Sequence, residues 1–183
     1  MFEYTDEMLY SPEEGTVMHK WETDIMHAMA EYVCQDGGDI IEMGFGMGIS
    51  ATHIQKQKIN SHTICEKNPV VLERLYEWAT DKPNVIILEG DWYDNVDKMN
   101  VYNGVFFDTH HDANARHLPA VLPRISTDKT RVTWWNNLPE RYNEFGLSNV
   151  RFRIMDVDPP ANSYFNHKQY YMPTYISKMT SDN

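Results

Sequence analysis

A glycine-rich turn between a strand pattern and a helix pattern constrains the fold of this chain more than any other feature. The segment IIEMGFGMGIS opens with an apolar run at Ile40 and then alternates glycine with larger residues. Glycines let a backbone turn sharply and let a ligand approach the main chain. The pattern departs from the dinucleotide fingerprint G-x-G-x-x-G, because Ile49 stands at the third glycine position. We expect the turn to border a ligand crevice at the carboxyl end of a parallel strand. Its glycines are Gly44, Gly46 and Gly48.

Helix and strand patterns alternate along the rest of the chain. The predicted helices are Val17–Cys34, Ile49–Lys58, a helix that opens at Pro69, and Leu118–Ile125. The predicted strands are Asp39–Met43, His62–Cys65, Val85–Leu88, Tyr102–Phe107, Arg131–Trp135, Val150–Val157 and Tyr170–Ser177. Such alternation predicts an α/β fold with a parallel sheet covered on both faces. No linker or repeat interrupts it, so we expect a single domain over residues 1–183.

Charge and cysteine content narrow the class of protein. The formal net charge of −11 disfavours binding to a phosphate backbone and favours small basic substrates. Cys34 and Cys65 form no CxxC pair, so neither a disulfide framework nor a zinc knuckle is indicated. The N-terminal segment MFEYTDEMLYSPEE has no apolar core of a signal peptide, and no stretch approaches membrane-spanning length. We therefore expect a cytoplasmic protein without nucleic-acid or membrane partners.

An acidic residue after the second predicted strand points to a nucleoside ligand. Glu66 lies twenty residues beyond Gly46, where a carboxylate can accept both hydroxyls of a ribose. NAD and S-adenosylmethionine both contain such a ribose. Glu42, near the turn, favours a ligand with an ammonium group and no pyrophosphate, and hence S-adenosylmethionine. The alternative is an ordinary tight turn with a solvated Glu66.

Two further carboxylates are candidates for chemistry. Asp108 ends the strand VFFD, where a parallel sheet presents functional groups, and Glu22 follows Trp21 on the first predicted helix. The structural alternatives are a helix cap or turn at Asp108, helped by Thr109, and a solvated helix face at Glu22.

The sequence DTHHD, which contains His110, His111 and Asp112, suggests a metal site. Adjacent histidines on a turn usually point apart and no third ligand cluster is spaced to complete a site, so we predict no metal. Trp134 to Asn137 end the fifth predicted strand and are candidates to line a pocket.

Several segments, in order along the chain, resemble the guanidinoacetate N-methyltransferases and the related arginine δ-N-methyltransferases. They are VMHKWETDIMHAMA, IIEMGFGMGIS, TICEKNP, ILEGDW, GVFFDTH and NVRFRIMDVDPPANSYF, and the resemblance spans residues 17 to 178. It implies a class I S-adenosylmethionine-dependent methyltransferase fold. That fold is Rossmann-like, with a mostly parallel seven-stranded sheet, an antiparallel last strand and helices on both faces.

The resemblance also implies roles for individual residues. Met18 and Met26 would lie against the cofactor. Gly44, Phe45, Gly46 and Met47 would surround its methionine part, near Glu42. Glu66 would bind the ribose, and Gly90, Asp91 and Trp92 would lie by the adenine. Asp108 belongs to both sides, because with Glu22 it would grip the guanidino group of the acceptor. Thr109 would support Asp108.

The chain departs from the family pattern in three places. Residues 1–16 form only a short lid or mobile segment, the usual Pro-Gly-Gly turn is missing, and Asn136–Pro139 replaces the small hydroxyl residues that hold the acceptor's carboxylate. Asn136 and Asn137 become the substrate-binding candidates there. We expect an N-methyltransferase acting on a guanidinoacetate-like small molecule. The alternatives are another amine or a protein arginine as acceptor, or cofactor binding without transfer.

Overall fold

The structure is a computed structural model that describes residues 1–177. Residues 178–183, which include the end of the span of resemblance and of the predicted domain, lie outside the described residues. Its strands are β1 Glu3–Tyr4, β2 Met8–Ser11, β3 Gly15–His19, β4 Asp39–Met43, β5 Ser61–Glu66, β6 Val85–Glu89, β7 Tyr102–Phe107, β8 Ser126–Trp134, β9 Arg151–Asp156 and β10 Gln169–Ile176. Its helices are α1 Thr23–Cys34, α2 Ile49–Ile54, α3 Pro69–Ala79 and α4 Leu118–Ile125.

Seven strands form the central sheet in the order β6-β5-β4-β7-β8-β10-β9. Neighbouring strands from β6 to β8 run parallel, and β10 runs antiparallel to both β8 and β9. The predicted α/β class, with its mostly parallel sheet and antiparallel last strand, is confirmed. The chain passes from β4 to β5 on one side and reaches β7 on the other, so a switch point lies at the carboxyl ends of β4 and β7. Ligands of open α/β sheets bind at such points.

The sheet is buried on both faces, as its apolar strands require. Ile40 belongs to one core cluster with residues of α1, α2 and α3, whereas Ile41 and Met43 belong to a second cluster with residues of α4. The predicted helices on both faces are thereby confirmed. Among residues 1–177, no helix combines the length and the apolar character needed to cross a bilayer. The single-domain assignment and the cytoplasmic location stay predictions.

The first helix begins later than its apolar period predicted. Val17 to His19 belong to β3, where Met18 pairs with Leu9 of β2, and α1 starts only at Thr23. A capping box explains the change of structure. The His19 side chain accepts a hydrogen bond from the start of the following turn, and the Glu22 side chain accepts one from the His19 backbone N–H. Pairing between strands overrode the local helix pattern here.

The first nineteen residues hold an antiparallel sheet of the strands β1, β2 and β3. Two contacts tie this N-terminal sheet to the body of the protein. The Tyr4 hydroxyl donates a hydrogen bond to the Gly46 carbonyl at 2.7 Å. The Arg74 guanidinium lies 3.7 Å from the centre of the Tyr4 ring. The N-terminal sheet therefore rests on the glycine turn that follows β4.

Gly44 meets the end of β7 at the switch point. Its φ of +92° favours glycine, and a Cβ built at this position would lie 2.0 Å from the Asp108 carbonyl oxygen. A side chain would force the glycine turn and the end of β7 apart. The glycine is therefore required by a close backbone approach as well as by its dihedral angle.

We expect Gly44→Ala to lower the free energy of unfolding by about 2 kcal/mol or more, because left-handed strain adds to the clash. Gly15→Ala is the matched control. Gly15 also has a positive φ, of +82°, but a Cβ there meets nothing within 4 Å. It should lose only about 1 kcal/mol of strain. Chemical denaturation of both variants measures the difference, and equal losses would refute the close-contact argument.

Candidate active site

A cavity of about 300 Å³ lies between the N-terminal sheet and the carboxyl ends of β4, β5 and β7. This volume is at the lower end of the range of small-molecule sites. The N-terminal sheet contributes Leu9 and Val17 to its wall. The predicted site residues that line it are Met18, Gly44, Phe45, Gly46, Glu66, Gly90, Asp91, Trp92, Asp108 and Thr109.

Glu66 lines the cavity and also shapes it. One carboxylate oxygen accepts a hydrogen bond from the Phe45 N–H at 3.0 Å. The other accepts from the Lys67 and Asn68 N–H groups, each at 2.8 Å. The side chain thus bridges the glycine turn and the residues that begin α3. An oxygen of a carboxylate can accept more than one hydrogen bond, so Glu66 still has capacity for a ligand hydroxyl.

Three predicted cofactor residues do not line the cavity. Glu42 is fully buried, and its carboxylate accepts hydrogen bonds from the Ser50 hydroxyl and from His62 Nε2 at 2.9 Å. Ser50 lines the cavity, so Glu42 supports the wall from behind. Met26 is a fully buried core residue of α1. Met47 contributes its backbone N–H, which donates to Met18 Sδ at 3.3 Å.

Trp92 is held in the cavity wall by a residue from the DTHHD segment. Its indole N–H donates to Asp112 at 2.7 Å, and only 3% of the side chain is exposed. Asp91 beside it approaches the Lys67 ammonium to 3.6 Å. Asp112 therefore orients an aromatic surface at the end of the cavity where the family resemblance implies that adenine would lie.

Asp108 lies where β7 ends, with its backbone N–H donating to the Met43 carbonyl of β4 at 3.0 Å. Burial of the carboxyl, with a smaller contribution from the nearby Glu42 charge, raises the pKa of Asp108 from 3.8 to about 7. The Thr109 hydroxyl next to it is buried and has no hydrogen-bond partner within residues 1–177. Asp108 therefore presents an acid that exchanges its proton near neutral pH.

Glu22 is almost completely buried, with 2% of the residue exposed. Its Oε1 atom accepts hydrogen bonds from the Tyr164 hydroxyl at 2.6 Å and from the His19 N–H at 2.8 Å. Burial and, to a smaller extent, the charge of Asp108 raise the pKa of Glu22 to about 8, against the lowering effect of the hydrogen bonds from Tyr164 and His19. Glu22 does not line the cavity described above. Because Asp108 lines that cavity and also interacts with Glu22, it connects the two regions.

Tyr164, which donates a hydrogen bond to Glu22, belongs to a cluster of aromatic residues. The Trp21 ring stacks on Phe165 at 5.7 Å, and the Trp135 ring stacks on Tyr170 at 4.9 Å. Tyr164 contacts both tryptophans, at 6.3 Å from Trp21 and 6.4 Å from Trp135. We call Trp21, Trp135 and Tyr164 the aromatic wall. Aromatic faces attract cations, and a guanidinium is a cation that stacks on them.

Asn136 and Asn137, the predicted binding residues for the acceptor's carboxylate, differ in whether their side chains are free to bind a ligand. The Asn136 side-chain amide donates to the carbonyls of Glu140 and Tyr171, and its oxygen accepts from the Leu138 N–H. It is 2% exposed, so its hydrogen-bonding groups are used by the fold. Asn137 is exposed and accepts from the Trp135 indole N–H.

His110 and His111 do not point apart as the sequence indicated. Their rings stack at 4.1 Å with planes 16° apart, and His111 has a left-handed φ of +45°. Glu14 of the N-terminal sheet lies 3.4 Å from His110 Nε2, and ligand-type atoms of the three residues lie within 4.8 Å of one another. Nearly parallel rings direct their nitrogen lone pairs alongside each other, whereas tetrahedral ligands converge on the metal. The cluster forms part of the cavity lining, and the absence of a metal site stays a prediction.

Sequence reasoning missed Tyr164 as a site residue. It lies in the segment between β9 and β10, 142 residues from Glu22 along the chain. The segment carries no glycine turn or strand end that would mark it. The one signal that could have identified Tyr164 is its place within the resembling segment NVRFRIMDVDPPANSYF.

Comparison with known proteins identifies relatives of this chain. The family model for guanidinoacetate N-methyltransferase matches residues 2–120. Protein arginine N-methyltransferase 2 of Kluyveromyces lactis is 39% identical over 93% of this chain and 50% of its own length. The protein of the same name from Candida glabrata is 38% identical with the same coverage. The chain therefore spans about half the length of the curated relatives that it matches.

Solved structures share the fold. Precorrin-6y C5,15-methyltransferase from Geobacter metallireducens superposes with a TM-score of 0.66 and 11% identity, covering 93% of this chain and 94% of that one. At this identity the likeness concerns the fold alone. It agrees with the strand order described above and identifies a Rossmann-like methyltransferase fold.

We expect Glu22→Gln to stabilise the protein at alkaline pH. Because the pKa of Glu22 rises from 4.5 to about 8 on folding, the native state binds the extra proton between these values. The stability that this proton contributes is complete below 4.5 and is lost as the pH rises through 8. A glutamine keeps an oxygen for His19 and Tyr164 and carries no charge. Its melting temperature should exceed that of the wild type by about 3 °C or more at about pH 9, and by much less at about pH 5.

Glu77→Gln is the matched control, because Glu77 is exposed on α3. Differential scanning calorimetry at both pH values measures the effect. A stabilisation by Glu22→Gln that does not change with pH would contradict the burial of an ionisable carboxyl.

Proposed function

We propose, on the basis that the chain belongs to the guanidinoacetate N-methyltransferase family, that it transfers a methyl group to a guanidino nitrogen. The methyl donor of this S-adenosylmethionine-dependent family would bind in the cavity. One observation carries the proposal: two acids with raised pKa values interact, the half-buried Asp108 in the lining of a nucleoside-sized cavity and the buried Glu22 outside that lining. Acids held in this way suit a cationic partner.

The residues of the cavity fit S-adenosylmethionine. Glu66 offers carboxylate oxygens to a ribose at the end of β5, and Trp92 offers an aromatic surface beyond it. Gly44 and Gly46 have positive φ values, and a Cβ at Gly46 would lie 2.8 Å from Met18 Sδ. Both glycines line the cavity, so the backbone of the glycine turn is open to a ligand there. The buried Thr109 hydroxyl, without a partner among the described residues, is a further group for a polar ligand.

S-adenosylmethionine supplies a methyl group on a positively charged sulfur, which a nucleophile displaces in line. The acceptor guanidinium is also a cation, and two unit charges about 4 Å apart repel by roughly 4 kcal/mol at an effective dielectric constant near 20. Glu22 and Asp108 would offset this repulsion with their negative charges. Forked, charge-assisted hydrogen bonds from the guanidinium would also select the nitrogen that faces the methyl group.

Asp108 is the candidate to accept the proton that the guanidino nitrogen must lose. It lines the cavity where the methyl group would lie, and its pKa of about 7 suits a base at neutral pH. Glu22 is almost completely buried, accepts a hydrogen bond from Tyr164 of the aromatic wall, and would hold the charge and orientation of the acceptor. Binding of a cation lowers the pKa of both acids and so completes their ionisation.

An arginine side chain of a peptide or protein is the acceptor that we favour. A free carboxylate on the acceptor would need a cation or free donors. The Asn136 amide already donates hydrogen bonds to two backbone carbonyls. Lys67 is the sole lysine or arginine in the described cavity lining, and it is paired with Asp91 at the proposed adenine end. A guanidino group on a peptide chain carries no such carboxylate. The name protein arginine N-methyltransferase 2, borne by the relatives, agrees with this choice.

Guanidinoacetate is the second candidate, because the family model bears its name. The exposed Asn137 at the edge of the aromatic wall offers side-chain donors that a small carboxylate could use.

Transfer of a labelled methyl group from S-adenosylmethionine to an acceptor panel tests the proposal. The panel contains an arginine-containing peptide, the same peptide with lysine in place of arginine, guanidinoacetate and free arginine. We expect label in the arginine peptide and none in the lysine peptide. Label in guanidinoacetate alone would establish the second candidate. Cofactor binding without label in any guanidino compound would refute the proposed function.

The variant Asp108→Asn tests the role of the base. We expect the rate of transfer to fall by about 100-fold or more, because a neutral amide accepts no proton. The dissociation constant for S-adenosylmethionine should stay within about threefold of the wild-type value. Titration calorimetry and single-turnover assays measure the two quantities. Equal losses in both would make Asp108 a cofactor residue instead.

Glu66→Ala should raise the dissociation constant for S-adenosylmethionine by about tenfold or more, because ribose hydroxyls lose a charged acceptor. Glu89→Ala is the matched control, since Glu89 ends the neighbouring strand β6 and is exposed outside the cavity. Calorimetry is run well below the melting temperature of each variant, because Glu66 also holds the Phe45 and Asn68 backbone. Unchanged affinity would refute the ribose role.

A further inference from the structure

Tyr164 joins the protein surface to a buried acid. The side chain is 47% exposed, yet its hydroxyl donates a 2.6 Å hydrogen bond to Glu22, which is 2% exposed. Hydrogen bonds to a charged oxygen are shorter and stronger than those between neutral groups. The phenol therefore supplies a strong contact at Glu22, the member of the Glu22–Asp108 pair that does not line the cavity.

The segment that carries Tyr164 is anchored on both sides of the ring. Phe165, the next residue, is 2% exposed and stacks on Trp21 with planes 24° apart. The Ser163 N–H donates to the Pro160 carbonyl at 2.9 Å, and the Ser163 hydroxyl accepts from the Phe165 N–H at 3.2 Å. Because Ser163 and Phe165 are anchored, the backbone at Tyr164 has little freedom to move, and the Tyr164 hydroxyl is held near Glu22.

Both hydrogen bonds to the Glu22 carboxylate end on the same atom. Oε1 accepts from Tyr164 in the β9–β10 segment and from the His19 N–H at the start of the turn that leads into α1. Two donors from different parts of the chain define the plane of the carboxylate. No hydrogen bond from the described residues reaches Oε2, which is left for a ligand.

We propose that Tyr164 is a positioning residue, which holds Glu22 so that its free oxygen meets the guanidinium of the acceptor. The inference rests on the proposed function, since it deepens the role of the same acceptor site. Tyr164 acts through Glu22, and no contact of its hydroxyl with the acceptor is required. Without the phenol, Glu22 keeps a single donor and turns more freely.

A change in the ionisation of Glu22 distinguishes positioning from a general structural role. The titratable groups that face Glu22 are Asp108 at the end of β7, Tyr164 in the β9–β10 segment and Tyr170 on β10, and the His19 residue adjoins it through its backbone. Among them, the Tyr164 hydroxyl is the side chain that donates to the Glu22 carboxylate. Its loss removes a hydrogen bond that favours the charged form, so Glu22 should keep its proton to higher pH.

The pH profile of kcat/KM for Tyr164→Phe tests the inference, with an arginine-containing peptide and guanidinoacetate as acceptors. We expect kcat/KM to fall by about tenfold or more near pH 7, and the acid limb to move up by about one pH unit. The loss should shrink at about pH 9, where Glu22 ionises without help. A profile with the wild-type midpoint, whatever its height, would overturn the proposal.

Tyr76→Phe is the matched control. The Tyr76 hydroxyl also donates to a glutamate, Glu89, and the Tyr76 side chain is 49% exposed, but neither residue lines the cavity. The variant loses the same kind of hydrogen bond at the surface. Its profile should match that of the wild type in height and midpoint, and an equal shift in both variants would count against a specific role for Tyr164.

Thermal stability separates a failure of this inference from a failure of the proposed function. If the wild type methylates neither acceptor, the proposed function fails, and the link between Tyr164 and Glu22 is still measurable. Melting temperatures are recorded from about pH 5 to about pH 9 for the wild type, Tyr164→Phe, Glu22→Gln and the double variant. Tyr164→Phe should shift the pH dependence upward by about one unit, and only where Glu22 is intact. The same shift in the presence of Glu22→Gln would overturn the inference.

Discussion

Burial of two acids in one region is the constraint on which the rest of this structure depends. Glu22 and Asp108 lie in surroundings that favour their protonated forms, since burial raises the pKa of both, the charge of Asp108 raises that of Glu22, and the charge of Glu42 raises that of Asp108. Such a pair lowers the stability of the protein at neutral pH unless a cation joins it. The hydrogen bonds from His19 and Tyr164 offset part of this cost, and the arrangement is best satisfied when a cationic ligand is bound.

The contacts that shape the cavity also hold the fold together. Glu66 joins the glycine turn to α3, and Glu42 supports the Ser50 wall from the core. The N-terminal sheet rests on the same turn through the hydrogen bond from Tyr4 to Gly46. A ligand in the cavity would therefore contact elements from three separate parts of the chain. Binding energy and folding energy are coupled at such a site, because a ligand that binds only the native state stabilises it.

Local patterns predicted most of the fold, because each pattern reflects burial within a single element. The strand β4 matches its apolar run at both ends, and α4 matches its predicted bounds despite two prolines. The start of the first helix was wrong, since Val17 to His19 extend the apolar period but pair with β2. Strand pairing depends on a segment some ten residues earlier, which a helical period does not detect.

By itself, the sequence determined the order of strands and helices from α1 onward, the glycine turn after β4, and the acids at the carboxyl ends of β5 and β7, but not the strands β1 to β3. These features are local, since apolar period and glycine placement act within a few residues. Only the tertiary structure decided that Glu42 faces the core, that Asn136 is engaged by neighbouring carbonyls, and that Tyr164 reaches Glu22. Each of these depends on the direction of a side chain relative to distant residues. The packing of the whole chain sets that direction, because an aromatic hydroxyl and a carboxylate 142 residues apart meet only when the sheet between them has formed.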